Sequence, residues 1–173
     1  MKHGFPRIVF YEDFRKWANW GSELMNLHIN YEEVEAFNLI REDSDIKKNE
    51  RAEQKKIFAE PLEGEAMFAR VPKLKVKLKR NKTREEVVID EITTLKGFPS
   101  IAWEYKVGNR SALEWILDQY KEKKPRDKTV MEKFNDYQFA DYKEHVIDLL
   151  KRICTVSVRT MEIINEMKKE TVS

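Results

Sequence analysis

From Lys73 to Lys79 the chain alternates strictly, with Leu74, Val76 and Leu78 set between Lys73, Lys75, Lys77 and Lys79. A period of two is the side-chain period of a strand, whereas a helix spreads such a set around its axis. The segment is therefore expected as half-buried β structure, apolar residues inward and lysines outward. Residues 81–84 can turn the chain, and Val87, Val88 and Ile89 supply a return strand, so residues 73–91 read as a hairpin. An isolated hairpin is marginal in water. The rest of the chain must therefore cover its apolar face.

Most of that remainder has helical spacing. Over residues 11–28, Phe14, Trp17, Ala18, Gly21, Leu24, Met25 and His28 form one apolar stripe, with Gly21 weakening the centre by roughly 1 kcal/mol relative to Ala. Residues 34–40 suit a short strand. Residues 41–56 are charged and almost free of apolar side chains, which predicts a surface loop or frayed helix. Thr93–Leu95 and residues 101–107 read as further short strands around a Gly97–Pro99 turn. Ser111 and Glu114 make an S-x-x-E capping box that starts a helix, which Pro125 stops. Residues 127–139 connect, with one helical turn near 130–134. Asp141 and Glu144 suggest a second capping box. After it Val146, Leu149, Leu150, Ile153, Ser157, Met161, Ile164 and Met167 keep helical register, with Thr155, Val156 and Val158 placed to bend or divide the helix. These patterns predict an α+β fold. A small antiparallel sheet packs against an N-terminal helix and C-terminal helices, including one long helix. The 173 residues suit a single domain.

Composition limits the chemistry. Charged residues make up 37% of the chain, yet the net charge is only +2. Any nucleic-acid footprint must then come from clustering. The densest cluster is Lys73, Lys75, Lys77, Lys79, Arg80, Lys82 and Arg84, with no acidic residue among them. Lysines along a strand can track phosphates and release counterions. Arg80 or Arg84 near the hairpin tip can fork onto guanine O6 and N7, since a major groove admits a two-stranded ribbon. The same pattern also protects a sheet edge against aggregation. Asn109 and Arg110, beside Gly108 and ahead of the Ser111 cap, suit a phosphate site at a helix N-terminus, although a structural turn is the commoner use of such residues. The tryptophans and tyrosines invite a base-stacking role, but most fall in apolar stripes that make them core, Trp20 being the exception.

Other chemistries find no support in the pattern. His3, His28 and His145 do not converge in sequence and have no cysteine pair beside them, so no metal site is expected. The single cysteine, Cys154, lies among apolar helical positions and fits an inert buried thiol in a reducing, cytoplasmic setting. No long apolar run marks a membrane span. There is no G-x-x-x-x-G-K-[ST] loop, no Gly-rich cofactor turn and no N-P-P-Y or D-P-P-Y box, so neither catalysis nor a bound cofactor is expected.

Two long stretches carry a resemblance. YKVGNRSALEWILDQYKEKKPRDK, from Tyr105, and FNDYQFADYKEHVIDLLKRICTVSVRTMEIINEM, ending at Met167, resemble the C-terminal end of the Type ISP single-polypeptide restriction–modification enzymes. FPRIVFYEDFRKWANWGSELMNLHINYE, from Phe5 to Glu32, resembles an earlier part of the same region. Residues 36–91 match only loosely. The resemblance implies a target-recognition, or specificity, domain, cut from a longer polypeptide that also carries ATPase, nuclease and methyltransferase regions. It implies double-stranded DNA as a partner, with the methyltransferase and ATPase regions of the parent, in the same chain or separately encoded, as the others. The alternative is a non-catalytic interaction domain that docks on a methyltransferase or helicase partner through the apolar stripe of its long C-terminal helix.

Overall fold

The computed structural model describes residues 11–59, 76–80, 85–122, 129 and 137–172. In chain order they form helix α1 (Tyr11–Ile29), strand β1 (Ile40–Asp43), helix α2 (Asp45–Ala59), strands β2 (Val76–Arg80), β3 (Glu86–Asp90) and β4 (Thr93–Lys96), a 3₁₀ turn (Ser100–Trp103), strands β5 (Lys106–Val107) and β6 (Arg110–Ser111), and helices α3 (Ala112–Gln119) and α4 (Phe139–Val172). The class is α+β, with antiparallel sheets, an N-terminal helix and a long C-terminal helix. The expected helical turn near residues 130–134 lies outside the described residues. Two compact units share the chain. One comprises Met1–Phe37, Pro99–Trp115 and Ile147–Ser173, the other Asn38–Phe98 and Ile116–Val146.

The second unit is built on a four-stranded antiparallel sheet in the order β1-β4-β3-β2. Val87 and Leu95 lie opposite each other across β3 and β4, and both are fully buried, as is Ile89. Leu78 joins them at 4% exposure. The expected hairpin of β2 and β3 is present, but with one extra residue in β2 between Val76 and Lys79. At this bulge Leu78 takes a φ of +29°, a conformation that side-chain-bearing residues rarely adopt. Burial of Leu78 offsets that local strain. Leu39, Phe98, Ile116, Leu117, Phe139 and Val146 are the unit's other buried apolar side chains.

The polar interior of this unit explains two departures from expectation. Asp90 closes the β3–β4 turn, its Oδ1 accepting from the Ile92 and Thr93 N–H groups at 2.8 and 2.7 Å. Its other oxygen meets the Lys143 ammonium at 2.7 Å, with Asp90 1% and Lys143 13% exposed. Lys143 also donates to Thr93 Oγ1 at 2.7 Å, and Thr93 donates to Asp43 Oδ1 at 2.7 Å. Arg41 reaches Glu144 at 2.8 Å. So of the two readings of the charged run over residues 41–56 the helix holds from Asp45 onward, as α2, while its first residues are not loop but β1, tied into this network. Nor do Asp141 and Glu144 form a capping box. Helix α4 begins at Phe139, whose N–H is taken by Glu122 at 3.1 Å, and Glu144 is committed to Arg41.

In the first unit α1 and α4 run antiparallel. Trp20 donates to Glu166 at 3.1 Å, Arg159 meets Glu23 at 2.5 Å, and Lys16 pairs with Glu170. Farther along, Arg152 donates to the Val34 carbonyl at 2.8 Å and the Phe37 N–H to the Lys151 carbonyl at 3.1 Å. Among the described side chains of α1 the buried one is Trp20, at 7% exposure, with Trp17 set edge-on against it at 5.4 Å. The predicted stripe is therefore rotated. Trp17 and Leu24 are half-buried, but Phe14, Ala18, Gly21, Met25 and His28 are exposed. Ion pairs from α4 flank Trp20, and that polar half of the contact has no apolar periodicity to betray it. Helix α4 runs unbroken for 34 residues, about 51 Å, through Thr155, Val156 and Val158. Val156 is buried there, and packing on the β-branched face offsets its modest propensity cost. Residues 101–107 are not one strand, because the Ala102 N–H closes onto the Pro99 carbonyl and starts a 3₁₀ turn.

Two expectations follow for stability. Trp20→Ala should cost about 3 kcal/mol in denaturant unfolding, whereas Phe14→Ala should stay within about 0.5 kcal/mol; equal losses would return Phe14 to the core. Burial alone would raise the Asp43 carboxyl, but hydrogen bonds from Thr93, Arg41 and Lys48 outweigh it and hold the group at about 2. Its folded value lies below its unfolded one. The stabilisation is therefore full above the unfolded range and is lost as pH falls through the folded value. Between about pH 4 and pH 2 the chain should lose on the order of 2 kcal/mol from this group. Unfolding at stepped pH should show that loss, and Asp43→Asn should remove it.

Candidate nucleic-acid interface

Within the lysine run, Val76–Arg80 forms the terminal strand of the described sheet. Lys77, Lys79 and Arg80 are exposed on β2, with Leu78 buried between them. Lys73, Lys75, Lys82 and Arg84 lie outside the described residues. Lys79 stands opposite Val88 and Arg80 opposite Val87. Directly opposed residues share a face, so Lys79 belongs to the outer face and Arg80 to the rim of the core face. Elsewhere on the outer face, Lys96 is tied to Glu42 at 2.6 Å and to Glu86 at 3.5 Å. Glu42 first, then Glu86, raises its pKa. The charge of Lys96 is thus answered within the sheet, and the basic side chains at the sheet's edge are those of β2.

A second candidate is the small hairpin of β5 and β6. Val107 pairs with Arg110, leaving Gly108 and Asn109 as a two-residue loop. Gly108 has a φ of +71°, and Asn109 has no positive φ. A glycine first with positive φ is the pattern of a type II′ turn, whose twist suits a hairpin. The hairpin is braced from behind. The Trp115 indole N–H donates to the Val107 carbonyl at 2.7 Å, and the Arg110 guanidinium lies 5.4 Å from the Trp115 ring centre. At its base the Tyr105 hydroxyl meets His28 Nε2 at 2.8 Å, and burial raises the Tyr105 phenol.

The predicted cap is present in both directions. The Ser111 N–H donates to Glu114 Oε2 at 3.0 Å and the Glu114 N–H to Ser111 Oγ at 3.2 Å. The box bears on the phosphate site read at Asn109 and Arg110. A phosphate on the α3 N-terminus would meet the Glu114 carboxylate, and Ser111 is itself 1% exposed. What remains available is the hairpin tip, where residues 106–110 are all exposed.

The aromatics divide. Trp20 and Trp103 are core, but Trp115, Tyr137 and Tyr142 are 44%, 36% and 45% exposed. Tyr137 and Tyr142 stack on each other at 5.4 Å, and the Tyr137 hydroxyl donates to the Tyr120 carbonyl. Burial pushes the Cys154 thiol up to about 12, which makes it a poor nucleophile. Among the described residues no group of three or more His, Cys, Asp or Glu could hold a metal ion, and no helix is long and apolar enough to cross a membrane.

One surface escaped the sequence reading. With Trp20 turned inward, α1 exposes two further faces. Phe14, Ala18, Gly21, Met25 and Ile29 follow one line, and an added Cβ at Gly21 would meet nothing within 4 Å. Asn19, Ser22, Asn26 and Asn30 follow another, and with Glu33 and Val34 they line a cleft of about 460 Å³. The spacing of the asparagines was readable, but a core stripe placed on the wrong side of the helix hid it.

A family model described as the Type ISP C-terminal specificity domain matches residues 1–149. Three solved structures are similar over 94% of this chain. A cryo-EM structure of a DrdV–DNA complex has 46% sequence identity and a TM-score of 0.69, and the match covers 15% of that chain. The ATP-dependent Type ISP restriction–modification enzyme LlaBIII bound to DNA has 26% identity and a TM-score of 0.58, with 9% of that chain covered. A nuclease-deletion mutant of the Type ISP enzyme LlaGI in complex with a DNA substrate mimic also has 26% identity and a TM-score of 0.58, with 11% covered. The chain thus spans a small part of the length of each. Comparison with curated proteins gave no match.

Gly108→Ala should destabilise the chain by about 1–2 kcal/mol, because the cost is a backbone conformation rather than a clash. Thermal unfolding measures it, and an unchanged midpoint would mean that the loop has another geometry.

Proposed function

The chain belongs to the Type ISP C-terminal specificity domain family, and on that premise we propose that it recognises duplex DNA as the non-catalytic specificity part of a restriction–modification enzyme. The family match over residues 1–149 is the observation that carries this reading. Exposed basic side chains on a strand edge and a braced, exposed hairpin tip support it. Lys73, Lys75, Lys77, Lys79 and Lys82 neutralise phosphates and set the position on the duplex, a role that carries no sequence information. Arg80 and Arg84 read base edges, and Asn109 and Arg110 contact the duplex from the β5–β6 turn. The partners are double-stranded DNA and the methyltransferase and ATPase regions of the parent enzyme. The setting is the cytoplasm, in keeping with one free cysteine.

A second reading rests on one observation. The stripe of Phe14, Ala18, Gly21, Met25 and Ile29 leaves Phe14 57%, Met25 56% and Ile29 68% exposed. Exposed apolar lines of this kind mark protein contacts. A docking role on a methyltransferase or helicase region would use α1 rather than α4, whose Val146, Leu150, Cys154, Ser157 and Met161 are buried within their own units.

Salt dependence separates the two. Duplex affinity should fall as salt rises, with a slope of about −0.9 in log K against log salt for each phosphate neutralised. Replacing Lys75, Lys77 and Lys79 together by Ala should reduce the slope by about 1 per lost contact, evenly across sequences. Arg80→Ala should cost about 1–3 kcal/mol on the recognised sequence and less on others. A triple lysine variant with wild-type affinity and slope would leave β2 as a protected sheet edge.

A further inference from the structure

We infer that the amide face of α1, carried by Asn19, Ser22, Asn26 and Asn30, reads base edges in the major groove and so determines sequence preference. The inference rests on the duplex-recognition reading and assigns the specificity within it. In a chain with 37% charged residues, these four exposed positions are all uncharged, and the charge on their line is that of Arg15, one turn ahead of Asn19. Phosphates select cations, whereas base edges present donors and acceptors without net charge. An asparagine amide offers both, and in bidentate form it matches the N6 and N7 of adenine. Ser22 bonds either kind of group.

Geometry agrees with that chemistry. Asn19, Asn26 and Asn30 recur at steps of seven and four, so they keep one line on the helix. Seven residues rise about 10 Å, close to three base-pair steps of about 3.4 Å each. Asn19 and Asn26 would then address bases about three steps apart, with Ser22 between them. Among its described residues α1 buries the side bearing Trp20 and leaves the amide line exposed, and a major groove about 12 Å wide admits a helix. The acidic side chains at the cleft do not oppose this. Glu23 is held by Arg159 at 2.5 Å, and Glu33 at the rim is an acceptor of the kind that a cytosine amine takes.

Selection from a randomised duplex pool with the full chain tests it, comparing wild type with Asn19→Ala, Asn26→Ala and the Lys77→Ala/Lys79→Ala pair. All of these positions are exposed, and circular dichroism should show each variant folded. Wild type is expected to enrich a motif containing adenine. Each asparagine variant should lose the preference at one position, by about 5- to 150-fold, and keep its affinity for unselected duplex. The positions lost by the two variants should lie about three steps apart. The lysine pair should weaken all sequences alike and keep the motif. A wild-type motif that both asparagine variants retain overturns this inference and leaves duplex recognition standing. A wild type that binds no duplex overturns both.

Discussion

A buried ion pair sets the frame of the sheet unit. Asp90 and Lys143 are almost wholly withdrawn from water, and such a pair is tolerable only when its remaining hydrogen-bonding groups are answered. They are answered by the Ile92 and Thr93 N–H groups and by the Thr93 hydroxyl, which carries the chain of contacts on to Asp43. One network therefore fixes the β3–β4 turn, the place of β1 and the first turns of α4. Removing one partner would strand the other, at a cost of about 3–5 kcal/mol. With β3 fixed in this way, β2 is left at the edge, and the bulge at Leu78 keeps one apolar side chain inward while Lys77 and Lys79 remain outside.

The helical unit depends on a different balance. Trp20 is the buried side chain among those described on α1, and ion pairs on either side hold the helix in register with α4. This economy leaves most of the described side chains of α1 exposed. Its free circumference carries both an apolar line and an amide line. The fold thereby presents chemistry of a kind absent from the lysine edge of the sheet.

Much of this was legible in the sequence, for identifiable reasons. Local signals were the most reliable. The Ser111–Glu114 box needs only residues three apart, and it formed as read. The alternation around Leu78 named a strand because period two has few alternatives. Long-range polar contacts were not legible. Nothing in the run over residues 41–56 shows that Asp43 is answered by Thr93 or that Arg41 reaches Glu144, so its first residues, a strand, were taken for part of a loop or frayed helix. The same limit rotated α1: its apolar residues outnumber those it buries, and only the partners Glu166 and Arg159 reveal which side faces inward. Family membership was legible from long matching stretches. The amide line of α1 was not, because asparagines carry no charge to attract notice.

The most direct test of the account observes the asparagine side chains themselves. The side-chain amide signals of Asn19 and Asn26, assigned by single substitutions, can be followed by nuclear magnetic resonance as the full chain is titrated with a duplex that it has selected. The account predicts that both signals shift and become protected from exchange, with backbone changes along one side of α1. Shifts confined to other parts of the chain, with both amides unmoved on saturation, would contradict it.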